Sequence, residues 1–431
     1  MSKQEVTFFW FRRDLRLDDN VGLFQALQSE YLVIPLFIFD DLILDNLPNN
    51  DPRVSFIHGS LSKINGELQE TGNSLLVKKG QTIDVWESLI QEYEVKEVFF
   101  NRDYEPYAID RDRSICALLE ANNIACHSFK DQVIFEEKEI TKADGLPYTV
   151  YTPYKNKWLT KYKTIAPVEE FDTKPSFFNF YKSEFVFPTL EQIGFEESPI
   201  KVKPHNLKFV AEYHDVRDYP AMDKTSYLSP HLRFGTVSIR KLVNWAFHKN
   251  DVFLSELIWK EFFMQIMYNF PKVVTHNFKS AYDGIQWRNN EDDFQRWCTG
   301  TTGYPMVDAG MRQLNETGYM HNRVRMVVAS FLIKHLLIQW QWGEAYFAEK
   351  LLDYDMSANV GNWQWAAGTG CDAAPYFRVF NPEIQQKKFD KDGIYIRKWI
   401  KEFDLGYAEP MVEHAMARDR AIATYKAGIL K

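Results

Sequence analysis

No apolar run in the chain approaches the roughly 20 residues that a membrane-crossing helix needs. The opening MSKQEV is polar where a secretory leader would carry its apolar stretch, so the expected location is the cytoplasm. Cysteine is scarce. The four residues Cys116, Cys126, Cys298 and Cys371 form no CxxC pair and no metal-type spacing, which excludes a zinc ribbon and suits buried free thiols in a reducing compartment. Basic residues are not in excess: 51 Lys and Arg stand against 59 Asp and Glu, for a formal net charge of −8. Any contact with nucleic acid must therefore rest on a local patch. A glycine-rich dinucleotide fingerprint is also missing. Phe11, Arg12, Arg13, Asp14, Leu15 and Arg16 follow the first apolar run, so nothing supports pyrophosphate binding at that turn.

What remains is a globular chain of 431 residues, long enough for two domains, with 45% hydrophobic and 26% charged residues. Aromatics reach 16%, and nine of the twelve Trp lie between Trp245 and Trp399. The C-terminal half therefore has a special use for indole. No repeats or low-complexity tracts occur.

From Val6 to about residue 130, short apolar runs alternate with amphipathic segments. Val6 to Phe11, Leu32 to Phe39, Leu75 to Val77 and Val98 to Phe100 read as strands. Helical patterns lie between them after Asp18, Asp19 and Asn20, at Leu61 to Leu68, at Val85 to Tyr93 and at Ile109 to Leu119. Such alternation predicts an α/β domain, a Rossmann-like parallel sheet without GxGxxG. Residues 131–204 are rich in Pro, Gly and aromatics and read as a long connector. Beyond residue 204 the text is helical, as in Val324, Val327, Val328, Phe331, Leu332, His335 and Leu336, and predicts an all-α second domain over 205–431.

Four stretches could carry chemistry. Thr225, Ser226, Leu228 and Ser229 offer hydroxyls and backbone N–H groups at a helix start, either as a simple cap or as an anion site. Glu256 and Lys260 stand i, i+4 on one helix beside Trp259, as a surface ion pair or, given the surrounding Phe253, Leu257, Phe262 and Phe263, as a functional acid. HNRVRM, residues 321–326, opens a helix expected to run to Trp340. Its Arg323 and Arg325 project to different sides, so one can meet a phosphate and the other a buried acid. Asp353 to Pro382, DYDMSANVGNWQWAAGTGCDAAPYFRVFNP, is neither periodic helix nor alternating strand, and its polar and aromatic groups suit a loop lining a ligand site.

FFWFRRDLRLDDN, PYTVYTPY, ELIWKEFF, TGYPMVDAGMRQLNETGYMHNRVRMVVASFL and the 353–382 stretch resemble, in order and over essentially the whole chain, the photolyase/cryptochrome family. The closest resemblance is to class I cyclobutane pyrimidine dimer photolyases: Met326 stands where DASH-type relatives carry Gln, and Asn322 follows His321 where (6-4) photolyases carry a His pair. The chain also ends without the long tail of signalling cryptochromes.

The resemblance implies an N-terminal antenna domain over 1–130, a connector over 131–204 and a helical domain over 205–431 that binds FAD. It implies FAD contacts from Tyr213, Thr225, Ser226, Leu228, Ser229, Phe253, Lys260, Asn322, Arg325, Asp353, Asp355 and Asn359, with Asn359 at flavin N5. Glu256, Trp259, Met326 and Trp365, with Asn322, are implied to meet the dimer, and Glu256 is expected to have a pKa raised by desolvation. Trp363, Trp340 and Trp287 are implied to pass electrons from the surface to the flavin, and Arg217, Arg323 and Arg378 to contact DNA phosphates.

The implied activity is light-driven repair of pyrimidine dimers in DNA by a monomer without metal. Its alternatives are a signalling photoreceptor or (6-4)/DASH-type repair. A second chromophore of folate or deazaflavin type is possible. Tyr107, Ala108 and Val274 stand where the family's folate ligands would be polar or charged, which speaks against folate.

Overall fold

The computed structural model describes residues 3–429. Five strands, β1 (Glu5–Phe11), β2 (Leu32–Asp40), β3 (Leu76–Gly80), β4 (Glu94–Asn101) and β5 (Ala125–Phe129), form one parallel sheet in the order β3-β2-β1-β4-β5. Its central strands are continuous apolar runs because both faces are covered. The two-residue period sorts their side chains. Phe9, Phe11, Val33, Phe37 and Phe39 meet Leu23, Val54 and Leu61 on one face. Phe8, Trp10, Ile34, Leu36 and Val98 meet Trp86, Leu89 and Leu119 on the other. The covering helices are α1 (Val21–Ala26), the short α2 (Asp41–Leu44), α3 (Pro52–Gln69), α4 (Thr82–Glu92) and α5 (Pro106–Ala121). The pattern did not announce β5, a half-exposed edge strand of sequence ACHSF with no apolar run to mark it.

Cys116 on α5 and Cys126 on β5 form a disulfide, with Cα atoms 5.7 Å apart. The expectation of four free thiols is corrected: the turn from helix to edge strand folds these two together, and only Cys298 and Cys371 are free and buried.

The chain continues through α6 (Tyr151–Ile165), α7 (Tyr213–Val216), α8 (Leu228–Arg233), α9 (Ile239–Ala246), α10 (Asp251–Asn269), α11 (Glu291–Thr299), α12 (Pro305–Thr317), α13 (Asn322–Ser330), α14 (Trp340–Lys350), α15 (Met356–Ala367), α16 (Pro382–Phe389), α17 (Ile394–Trp399) and α18 (His414–Gly428). Two compact units result. The sheet unit gathers the residues up to Glu136 with 161–204 and 228–248; the helical unit gathers 137–160, 205–227 and the residues from Lys249 onward. Neither is a single run of sequence. In the sheet unit a buried ionic cluster joins the separate pieces: Arg240 on α9 pairs with Asp19 at 3.1 Å and Asp131 at 2.8 Å, and Arg16 pairs with Asp131 at 2.8 Å.

Three local readings change. The stretch read as connector contains α6, whose Tyr151, Tyr154, Trp158 and Tyr162 recur at helical spacing and are all buried. Pro153 in the first turn, where a proline costs no hydrogen bond, disguised that helix. The helix that begins with HNRVRM does not reach Trp340; it leaves α-geometry after Ser330 through one π-turn, Phe331–His335, and Trp340 opens the next helix. The 353–382 stretch is not a loop throughout. Asp355 caps α15, its carboxylate accepting the Ala358 N–H at 3.1 Å, and Gly368 ends the helix at φ 86°. Because α15 is buried on several sides it shows no apolar stripe for the eye to find.

Candidate functional site

α13 and α15, with the end of α14, border a half-open cavity of about 110 Å³. Asn322, Arg325, Met326, Asp353, Asp355, Asn359, Trp363 and Trp365 line it, together with Phe347 and Tyr354. The helix starts fix the geometry. The His321 Nδ1 accepts the Arg323 N–H at 3.1 Å, capping α13, and burial pushes this imidazole down to about 4, so it stays neutral and able to accept. The cap sets the first turn so that Arg325 faces Asp353. Its Nη2 donates to both carboxylate oxygens, at 3.1 and 2.9 Å, and its Nε donates to the Met320 carbonyl at 2.8 Å. One helical turn beyond Asp355, Asn359 donates its amide to the Glu344 carbonyl at 3.1 Å and carboxylate at 2.9 Å. Its own side-chain oxygen is thereby left as an acceptor. Burial raises the Glu344 carboxyl above its ordinary range.

A second cluster forms on α10. Asn250 caps this helix by accepting the N–H groups of Val252 and Phe253, each at 3.0 Å. Arg217 donates to Glu256 at 2.6 Å and lies over the Tyr213 ring, which meets Phe253 edge-on at 5.4 Å. Burial raises the Glu256 pKa, and the Arg217 guanidinium opposes that rise. Glu256 thus bonds Arg217, and the Lys260 ammonium reaches the Met264 sulfur at 3.4 Å. Tyr151 stacks on a face of Trp259, with centroids 3.5 Å apart, and Phe263 lies at 5.4 Å. Arg323 links the two clusters by donating to Asp218, next to Arg217, at 2.7 Å.

Other expected residues stand apart. Thr225 and Ser226 precede α8, and Leu228 and Ser229 open it; α8 is only six residues long. Trp363 is 2% exposed and touches Phe347 at 5.0 Å and Trp297 at 6.1 Å. The α14 backbone approaches it so closely that a Cβ on Gly343 would fall 2.1 Å from the Trp363 ring. Trp340 is buried and donates to Asn277 at 3.0 Å, and Trp287 meets Tyr425 edge-on at 5.8 Å. The three indoles make no ring-to-ring contact with one another among the described residues. Arg378 is exposed.

The sequence reading missed Glu344 and a basic rim. Lys388 and Arg323 lie over the same Phe389 ring, at 5.1 and 4.4 Å, and Lys387, Lys391, Arg397, Lys398 and Lys401 are exposed nearby in the chain. The signal was available: 387–401 holds six cations and two acids in an otherwise acidic chain. Chemically, the cavity offers an ion pair in which one guanidinium nitrogen reaches both carboxylate oxygens, an amide oxygen and indole walls. A flat heteroaromatic with a polar edge fits such a lining.

The model of the DNA photolyase family matches residues 7–175, and that of the FAD binding domain of DNA photolyase matches residues 253–405. A deoxyribodipyrimidine photo-lyase of Synechococcus sp. is 35% identical to the chain, over 97% of this chain and 96% of the relative. Among solved structures, a bacterial class III photolyase from Agrobacterium tumefaciens superimposes with a TM-score of 0.86 at 33% identity, covering 99% of this chain and 98% of the other. An archaeal photolyase from Sulfolobus tokodaii, described with two FAD molecules, gives 0.83 at 34% identity, covering 98% and 100%. A cavity walled by an Arg–Asp pair, an amide and two indoles, within a chain alike to these proteins almost end to end, makes this protein a member of the DNA photolyase family.

Proposed function

We propose that the chain is a deoxyribodipyrimidine photo-lyase that binds FAD and splits cyclobutane pyrimidine dimers in DNA under light. The observation that carries this reading is one shared cavity, in which Arg325, Asp353 and Asn359 stand beside Met326 and Trp365. Bound FAD supplies light absorption and the transferable electron. The chain does the rest. Arg325 and Asp353 offer charge and hydrogen bonds to a polar ring edge, and Asn359, oriented by Glu344, offers an acceptor. Trp365 gives an indole face for a base taken out of the duplex, with stacking of about 1–3 kcal/mol against the cost of unstacking.

Glu256 is the proton-bearing group of the dimer pocket. A DNA phosphate that draws Arg217 away removes the influence opposing the burial-raised pKa, so binding shifts Glu256 further toward the protonated form that can donate to a pyrimidine edge. Trp259 has Tyr151 stacked on one face, so that face meets a base only if Tyr151 moves. Arg217, Arg323 and Arg378, extended by Lys387 and Lys388, hold phosphates. Thr225, Ser226, Leu228 and Ser229 are assigned to the FAD phosphates, and Tyr213, Phe253, Lys260, Asn322 and Asp355 to its pocket. Trp287, Trp340 and Trp363 are assigned to electron supply.

We assign the antenna role to residues 1–130, the connector to 131–204 and FAD binding to 205–431. We take the chain to act as a monomer in the cytoplasm. No helix among the described residues is long and apolar enough to cross a membrane. The test is to mix reduced, flavin-loaded protein with a dimer-containing oligonucleotide in light and in darkness. Thymine restored only in light supports the reading, and no restoration in light sinks it.

A further inference from the structure

Lys334 lies in the π-turn after α13 and is 1% exposed. Its ammonium donates to the carbonyl of Ala367 at 2.7 Å and of Tyr376 at 3.2 Å, and the Tyr425 ring covers it at 3.5 Å. The Tyr425 hydroxyl donates to the same Ala367 carbonyl at 2.8 Å. Among the described residues no carboxylate pairs with this lysine, and burial holds its pKa well below the ordinary value. An apolar side chain would fill the volume without that desolvation cost. What an apolar side chain cannot supply is protons. Two N–H donors of the Lys334 nitrogen meet the two carbonyls while the nitrogen lies over the ring face.

The two carbonyls are placed informatively. Ala367 is the last residue of α15, where helix carbonyls lack partners and a cation is favoured. Two residues earlier stands Trp365 at the cavity wall, and two residues after Tyr376 stands Arg378. We infer that Lys334 is a positioning residue for the dimer-binding wall, tying the end of α15 to the loop that carries Arg378. This rests on the reading of Trp365 and Arg378 as groups that meet damaged DNA. Lys334 touches neither DNA nor flavin. It fixes the relative placement of an indole for the base and a guanidinium for the phosphate, which must be engaged together. Tyr425 of α18 serves as its companion on the shared carbonyl.

The test uses the full-length, flavin-loaded chain with Lys334→Met, an unbranched side chain of similar length. Hydrogen exchange of the amides over 366–378 is expected to quicken. Affinity for a dimer-containing oligonucleotide should weaken about tenfold, clearly more than affinity for undamaged DNA, while light-driven turnover at saturating dimer stays near wild type. Unchanged exchange over 366–378, or equal weakening on both oligonucleotides, overturns the inference. If Lys334→Met does not fold, Tyr425→Phe removes the hydroxyl on the same carbonyl and keeps the ring. It should cost about threefold in dimer affinity alone, and no loss overturns the inference. A wild-type chain without preference for dimers counts against the repair reading itself; the exchange measurement still judges the positioning role.

Discussion

Replacing Arg325 by Met isolates the value of the ion pair at the cavity. Asp353 is 6% exposed and Arg325 27%. Deleting one partner of a fully buried pair costs about 3–5 kcal/mol, because the other charge is left buried and uncompensated. The guanidinium reaches solvent, so the expected loss is smaller, about 2–3 kcal/mol after allowance for screening. The Met320 carbonyl also loses its donor, which is included in that range. For a unit of this size the loss is a fall of roughly 5–10 °C in the melting transition of the helical unit. Because two units are present, the measurement should follow a probe confined to one of them, such as exchange of the α13 and α15 amides. Replacing both partners, Arg325→Met with Asp353→Leu, should recover much of the stability without recovering flavin binding. An Arg325→Met chain as stable as wild type, or a double variant less stable than the single one, would refute the assignment of buried charge to Asp353.

Glu256→Gln should flatten a pH dependence whose sign follows from burial. With the folded pKa raised, the folded chain holds a proton that the unfolded chain has released, so wild-type stability falls as pH rises between the two values; denaturant titrations of both chains at pH values from the ordinary carboxylate range upward would show it. Lys387→Glu with Lys388→Glu should weaken binding to damaged and undamaged DNA alike and reduce the salt slope of log K by about one for each lost phosphate contact. Gly343→Ala drives a methyl into Trp363 and Leu332, and it should cost about 1–3 kcal/mol while shifting the fluorescence of the buried indole. Glu344→Leu removes the carboxylate, one of the two acceptors that hold the Asn359 amide, and leaves the backbone carbonyl, so repair per bound dimer should fall several-fold with DNA affinity intact, checked by single-turnover flashes.

The central strands were legible because burial on two faces forces continuous apolar text, and β5 was not because an edge strand is half wet. Helices buried all round behave similarly. α15 carries no stripe, so its residues read as a loop until Asp355 and Gly368 are seen as caps. Glu344 could not be read at all. A carboxylate on α14 matters only because α15 returns and sets Asn359 against it, a meeting that spacing along the chain does not encode. The resemblance pointed to Arg325, Asp353 and Asn359, and the fold brings them to one cavity. The fold also pairs Glu256 with Arg217, which the resemblance had kept apart, and turns an acid and a phosphate contact into a single coupled pair.

The cluster of Asp19, Asp131, Arg16 and Arg240 has a consequence for synthesis on the ribosome. Asp19 is fully buried, and its guanidinium partner is translated more than 200 residues later. A nascent chain that has finished all five strands therefore still holds a buried carboxylate awaiting Arg240. The sheet unit closes only after residues 137–160, which belong to the other unit, have already emerged. A fragment ending at Glu136 is expected to express as a loosened, aggregation-prone species, whereas one extended through His248 contains every partner of the cluster. Order of translation and order of completion differ in this chain, and the last arginine to arrive seals the first unit begun.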